Sequence, residues 1–366
     1  MICVVYGTTG ELIKLLPVLV RLRERGSPFL GVTTAQQVEQ IPSLLDSFEL
    51  PQPDLWLARG RRGRDLRTTA DIPSWLFQVT RGFAAERGRL KRRLRQGPGR
   101  PLVLVHGDTM TTVLGAGMGR LMGVPVAHVE AGMRSFDLRH PFPEELNRRV
   151  TSRLAHIHYA PGRYAADNLH GGIIVDTRSN TIRDSLELCR AGEDLRLDLP
   201  EGPFGLVSLH RFELLSNRAL LTATLEALQR HAARRPMLFI DHPVTAAAIE
   251  GFGLDRIFGE GLRRIPRLVF GEFIELERRS AFVVTDSGGS QEETLYMDIP
   301  CLIHRQKTEH PEGVGENVVV SGYEIAKLDD FLGDPGRFRR RHPLPEQSPS
   351  DVIVDDLQER GFAVAA

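Results

Sequence analysis

Polar residues crowd one stretch of the chain. Residues 103–117 read VLVHGDTMTTVLGAG and residues 124–149 read VPVAHVEAGMRSFDLRHPFPEELNRR, so that His106, Asp108, His128, Glu130, Asp137, His140, Glu144 and Glu145 fall within forty residues. Carboxylates and imidazoles are the side chains that move protons, and acids gathered in a cleft raise the pKa of at least one of them through desolvation and like-charge repulsion. A structural use competes with this one, because Asp108 and Glu144 each stand where an acid caps a helix. A metal is a third use. No HxxxH or HExxH pair occurs on a helix, however, and His106 with Asp108 brackets only a turn, so no metal is expected.

Three further segments follow apolar runs. GTTGELIK at 7–14 opens a helix, and its backbone amides could hold a phosphate, although it lacks GxGxxG spacing. VSLHRFE at 207–213 ends a run with a histidine, an arginine and an acid. In 282–317, FVVTDSGGSQEETLYMDIPCLIHRQKTEHPEGVGEN, Ser287, Gly288 and Gly289 make a turn into a helix whose first amides would favour phosphate, while Glu292 and Glu293 could bind ribose hydroxyls.

Positioning such groups requires a sheet. Short apolar runs, mostly β-branched, predict strands at 2–6, 29–33, 102–106, 125–130 and 157–160, and again at 204–210, 237–241, 267–270, 282–285 and 300–304. Amphipathic stretches between them predict helices at 11–24, 74–95, 111–122, 144–154, 217–234, 273–280 and 291–297. The fold class is α/β, with two doubly wound, Rossmann-like halves facing across a cleft: an N-terminal domain at 1–170, a C-terminal domain at 171–350, and a tail at 351–366 that packs back on the first. Ligands of such sheets bind beyond the carboxyl ends of the strands.

The whole-chain numbers agree with two domains in a chain of 366 residues. Forty-seven basic residues balance forty-seven acidic ones, giving no overall field to attract nucleic acid or an anionic membrane. The arginine runs beginning at Arg59, Gly88 and Arg337 lack interleaved aromatics and read as solvated faces. Cys3, Cys189 and Cys301 are too few and too scattered for a disulfide scaffold, which points to the cytoplasm. Neither a signal peptide nor a membrane span is expected.

Taken in order, HGDTMTT, HVEAGMRS with PFPEELNRR, and TDSGGSQEE with TEHPE resemble the motifs of the UDP-N-acetylglucosamine 2-epimerases, isomerases of the GT-B fold. The resemblance implies interconversion of UDP-GlcNAc and UDP-ManNAc by elimination of UDP to a 2-acetamidoglucal and re-addition, without a cofactor, in a homodimer whose C-terminal domain holds UDP. It implies that Asp108, Glu130 and Glu144 serve proton transfer and that His210 lies near the diphosphate. Lys14, Arg134, Arg211, Phe273, Ser287, Gly288, Gly289, Glu293 and His310 are the implied substrate contacts. Departures stand at Thr9 and Gly10 (usually Arg-Pro), at Phe212 and at His310 (both usually Arg), and at 34–37, where TAQQ replaces a GQH that serves a regulatory sugar-nucleotide site. Lys14, Arg134, Arg211 or Arg305 could replace the missing guanidinium groups. The alternatives are a hydrolysing epimerase that releases ManNAc and UDP, an epimerase of another sugar nucleotide, a GT-B glycosyltransferase, and a sensor without catalysis.

Overall fold

The structure, a computed structural model, describes residues 1–60, 63–66, 69–137, 143–189, 195, 197–308 and 310–364. It divides into two compact units, residues 1–188 with 345–366, and residues 189–344. The first unit therefore runs past residue 170, because the segment after it adds a last strand and a helix to the same sheet. In chain order it contains β1 (Ile2–Tyr6), α1 (Thr9–Glu24), β2 (Phe29–Thr33), α2 (Ile41–Ser47), β3 (Leu55–Trp56), α3 (Ile72–Gln96), β4 (Leu102–His106), α4 (Met110–Met122), β5 (Val126–Val129), α5 (Glu144–Leu154), β6 (Ile157–Ala160), α6 (Arg163–Asp167), β7 (Ile173–Asp176) and α7 (Ile182–Leu188). The second contains β8 (Gly205–Ser208), α8 (Phe212–Leu215), α9 (Arg218–Ala232), β9 (Met237–Asp241), α10 (Pro243–Phe252), β10 (Leu262–Pro266), α11 (Phe270–Arg279), β11 (Phe282–Thr285), α12 (Gly288–Met297), β12 (Cys301–Ile303), β13 (Val318–Val320) and α13 (Ile325–Gly333); α14 (Pro349–Glu359) belongs to the first unit.

Both sheets are parallel and doubly wound. Strand order is β3-β2-β1-β4-β5-β6-β7 in one and β10-β9-β8-β11-β12-β13 in the other. The order reverses between β1 and β4, with Ile2 beside Leu102, and between β8 and β11, with Gly205 beside Phe282. At such a switch point adjacent loops splay apart and leave a crevice. The strands there are apolar on both faces because helices cover both: Leu206, Leu238 and Val283 enter one core of the second unit, Val207, Phe239 and Val284 the other. In the first unit α4 lies close on the sheet. A methyl group at Gly115 would come within 2.8 Å of Val105, and one at Gly119 within 2.5 Å of Val126.

One strand differs from its expected position. The run at 267–270 is not a strand; β10 is Leu262–Pro266, and Val269 precedes α11. As an edge strand β10 buries only Leu262 and Ile265 and tolerates Pro266 at its end. β3, β7 and β13 were not anticipated at all.

Candidate active site

In the first unit the carboxyl ends of β4 and β5 bring four side chains together. Glu130, the residue after β5, is held at φ 63°, a conformation that costs a non-glycine residue about 1–3 kcal/mol and recurs at functional positions. Its Oε2 is ion-paired with Lys14 Nζ from α1, accepts a hydrogen bond from Asn180 Nδ2 at 2.5 Å, and lies 3.7 Å from His106 Nε2. Burial alone would raise this carboxyl, but the Lys14 charge, the His106 ring once it is protonated in acid, and the two hydrogen bonds outweigh it and hold Glu130 well below the usual carboxylate range. The expected rise in a carboxyl pKa is thus reversed at this residue, because a cation, not a second acid, is its nearest neighbour. Burial lowers His106 to about 4, so the imidazole is neutral near pH 7. His128 is likewise neutral, lowered to about 3 by burial, and its Nε2–H donates to the Gly107 carbonyl at 2.7 Å.

Asp108 lies one residue beyond Gly107, whose position is within 3.8 Å of Glu130 Oε1 when a Cβ is built on it. The Arg148 guanidinium pairs with the Asp108 carboxylate at 2.5 Å, and Asn147 Nδ2 donates to its carbonyl at 2.8 Å. Both come from α5, and Glu144 stands one turn earlier on the same face of that helix. Glu145 turns the other way: fully buried, it accepts from the Ser135 amide at 2.9 Å and from Arg149 Nε at 2.8 Å, bracing the 133–137 loop. His140 lies outside the described residues, as do Pro141 and Phe142 of PFPEELNRR and Glu309 of TEHPE.

The GTTGE turn is not an open phosphate cradle. Glu11 Oε2 accepts from the Gly7 and Thr8 amides, each at 2.9 Å, and Oε1 accepts from Thr109 Oγ1 at 2.7 Å. The Thr9 amide donates to Gln37 Oε1 at 2.7 Å. The loop's first three amides are thereby used inside the fold, and the buried Glu11 ties the first motif to the second. Thr9 with Gln37 occupies the place of the usual arginine.

The second unit assembles its groups at the ends of β8 and β11. Asp286 is fully buried and accepts from the His210 amide at 2.9 Å and the Arg211 amide at 2.8 Å, and His210 Nδ1 lies 3.3 Å from it. Burial lowers the His210 pKa; Asp286 opposes this, while Arg211, Arg267 and Arg305 add to it. Three guanidinium groups are therefore close enough to act on one imidazole. The His242 ring stacks obliquely on His210 at 4.8 Å. Asp286 and Arg267 carried no assigned role in the sequence; the signal for Asp286 was its place directly after an apolar run in TDSGG.

Ser287 caps α12, its hydroxyl accepting from the Ser290 amide at 3.4 Å, while its own amide donates to Thr285 Oγ1 at 3.1 Å. Ser287 is thus already used, and the Gly288 and Gly289 amides are the ones without an acceptor among the described residues. Glu293 is buried one turn on. His310 packs against the same helix, with Nδ1 3.4 Å from Glu292 and its carbonyl accepting from Gln291 Nε2 at 2.8 Å. Phe273 is half-buried on α11, and Phe212 is 79% exposed at the start of α8. Of the proposed replacement cations, Arg211 and Arg305 surround His210, Lys14 is engaged with Glu130, and Arg134 points its guanidinium at Ser152 Oγ, 3.0 Å away, in another cavity. No group of three or more His, Cys, Asp or Glu that could hold a metal occurs among the described residues.

Comparison with known proteins agrees with this arrangement. The family model described as UDP-N-acetylglucosamine 2-epimerase matches residues 99–328. The chain is similar to the UDP-N-acetylglucosamine 2-epimerase of Bacillus subtilis, 29% identical over 383 residues, covering 96% of this chain and 93% of that one. It is similar to a probable UDP-N-acetylglucosamine 2-epimerase of Ralstonia nicotianae, 32% identical with 98% of each chain covered. The crystal structure of the Methanocaldococcus jannaschii UDP-GlcNAc 2-epimerase in complex with UDP-GlcNAc and UDP superposes with a TM-score of 0.77 at 26% identity, over 98% of this chain and 99% of that one. With two Rossmann-like units and motifs in this order, the chain belongs to the UDP-N-acetylglucosamine 2-epimerase family.

Proposed function

We propose that this protein is a UDP-N-acetylglucosamine 2-epimerase that interconverts UDP-GlcNAc and UDP-ManNAc. The observation that carries the reading is the group at the ends of β4 and β5, where Glu130 is gripped by Lys14 and Asn180 and Asp108 is gripped by Arg148. A glycosyltransferase of the same fold has no need of this set. The C2 hydrogen of the sugar is not adjacent to a carbonyl, so no side-chain base removes it directly at a useful rate. Departure of UDP from C1 develops positive charge beside C2 and acidifies that hydrogen. Elimination gives 2-acetamidoglucal, and re-addition with the proton delivered to the other face inverts C2. Hydrogen and UDP leave and return, so the sugar's oxidation state is unchanged and no redox cofactor enters.

Inversion requires two proton-transfer groups on opposite faces. Asp108 and Glu144 are assigned to these roles. Glu130, kept ionised by Lys14, is a poor acid, and its fixed charge is suited to the cation that develops at C1. In the second unit the Gly288 and Gly289 amides, Arg211 and His210 are assigned to the diphosphate, Glu293 to the ribose and Phe273 to the base. The buried, unbridged cysteines suit a reducing cytoplasm, and no helix among the described residues is long and apolar enough to cross a membrane. Assembly as a homodimer is part of the reading and is checked by sedimentation.

The deciding experiment is incubation with UDP-GlcNAc in D₂O, followed by proton NMR. C2-deuterated UDP-ManNAc, with deuterium also washing into UDP-GlcNAc, is the expected result. Free ManNAc with UDP would show a hydrolysing enzyme, and absence of C2 exchange would overturn the assignment.

A further inference from the structure

The first unit holds a cavity of about 730 Å³ that the proposed chemistry leaves unused. It lies between the last turns of α5, the start of β6 and the α6–β7 connection, toward the opposite end of the sheet from Glu130. Arg120, Arg134, Arg149 and Arg153 line it together with three histidines, and no carboxylate does. Among the described residues only Arg149 of the four is ion-paired with a carboxylate, that of Glu145. Arg134 Nη1 and Nη2 donate to the Met133 carbonyl at 2.8 Å and to Ser152 Oγ at 3.0 Å, and Arg120 Nε donates to the Leu154 carbonyl at 2.7 Å. Arg153 has no side-chain partner among the described residues. Four guanidinium groups thus share a partly enclosed space whose lining carries no carboxylate, with the single buried carboxylate of Glu145 behind Arg149 and Arg134 to offset them, and Arg134 is only 9% exposed. Burial lowers the Arg134 pKa; the Glu145 carboxylate opposes this, while the Arg148, Arg149 and Arg153 charges add to it.

A cluster of this kind repels itself until an anion enters. Guanidinium groups match the oxygens of phosphate two at a time. The lining offers no Phe, Tyr or Trp ring as a platform on which a nucleobase would stack. The volume, on the other hand, is ample for more than one phosphate. We propose that this cavity is a second anion site, separate from the Glu130 group, that takes a small molecule carrying two or more phosphates.

Inorganic pyrophosphate is a direct probe, titrated calorimetrically at low ionic strength with UDP present in saturating amount to occupy the phosphate site assigned to the second unit. Arg120 and Arg153 are both exposed, so the Arg120→Gln/Arg153→Gln double variant should fold normally and bind UDP within twofold of wild type. Wild type should bind pyrophosphate in the presence of UDP, more tightly than orthophosphate, and the double variant should bind it at least about tenfold more weakly. Absence of UDP-insensitive binding, equal affinity for orthophosphate, or binding that the double variant leaves within threefold would each overturn the proposal. Loss of self-association in the double variant without any pyrophosphate binding in wild type would also overturn it, marking the cavity as a contact between copies of the chain.

Discussion

Lys14 and Glu130 set the electrostatics of the first unit's site at the level of single residues. Their side chains are 14% and 9% exposed, so removing one partner strands a nearly buried charge, at a cost of about 3 kcal/mol. Lys14→Met should show this loss by urea denaturation at pH 7.5, and Glu130→Gln in the same chain should recover more than half of it. The sign of the pH dependence follows from Glu130's depressed pKa. Its stabilisation is present above the unfolded carboxyl value, near 4.3, and is lost as pH falls through the folded value. The gap between wild type and Lys14→Met should therefore narrow below about pH 4, and a constant gap would mean that the pair is not coupled. His210 is the matching test in the second unit. Burial and three arginines keep it neutral when free, but an arriving diphosphate favours its charged form. His210→Asn removes that capacity, and turnover should fall at least about tenfold, or roughly 1.4 kcal/mol of transition-state stabilisation, with less effect on UDP affinity. Wild-type turnover would reduce His210 to a strand-end residue. Sequence motifs located both groups. They did not show which neighbour each would have, because Asn180 and Arg267 lie outside the motifs, and only folding makes Glu130 a paired carboxylate instead of a raised one.

At the scale of elements, the start of α12 gives a cleaner test than any charged residue. A methyl group at Gly289 would meet Ser287 Oγ at 3.6 Å and Glu293 Oε1 at 4.0 Å, which are ordinary contacts. Gly289→Ala should then leave the melting temperature unchanged or slightly raised, since alanine is the better helix former. If phosphate approaches the Gly288 and Gly289 amides, the same methyl group stands in its way, and UDP affinity should drop at least about tenfold by calorimetry. Unaltered affinity would remove the diphosphate from this turn. Elements were legible where the sheet is covered on both faces. β1, β2, β4, β6, β9 and β11 are short, mostly apolar runs, and the sequence reading places each of them residue for residue. Among the strands the failures are all at sheet edges: β3, β7 and β13 were missed and β10 was displaced; the helices α2, α6, α7, α8, α10, α13 and α14 were missed as well. An edge strand has one neighbour and needs fewer apolar side chains, as at β7, where Ile173 is 40% and Ile174 39% exposed. A pattern that detects two-sided burial passes over such strands.

On the scale of the whole molecule, the chain leaves the first unit at Leu188 and rejoins it at Pro345. The return is fixed chiefly by Asp184 of α7, which is 1% exposed and accepts hydrogen bonds from Ser348 Oγ and the Ser350 amide, both at 2.8 Å, and from Ser350 Oγ. Arg21 of α1 and Arg25 just beyond its end add ion pairs to Asp351 and Asp355 on α14, and the Tyr159 hydroxyl donates to Asp356 at 2.9 Å. The surface pairs contribute little, being partly exposed and screened. The buried carboxylate contributes more, because an asparagine there keeps the shape but turns a donor toward donors or surrenders the charge. Asp184→Asn should therefore destabilise the first unit by about 3 kcal/mol. Both tryptophans, Trp56 and Trp75, lie in that unit, so fluorescence during urea unfolding reports on it alone. The fluorescence midpoint should move to lower urea while UDP affinity, assigned to the second unit, stays within twofold at low denaturant. A midpoint that does not move would mean that α14 adds nothing to the first unit's stability. A parallel loss of UDP affinity would mean that nucleotide binding depends on the first unit as well.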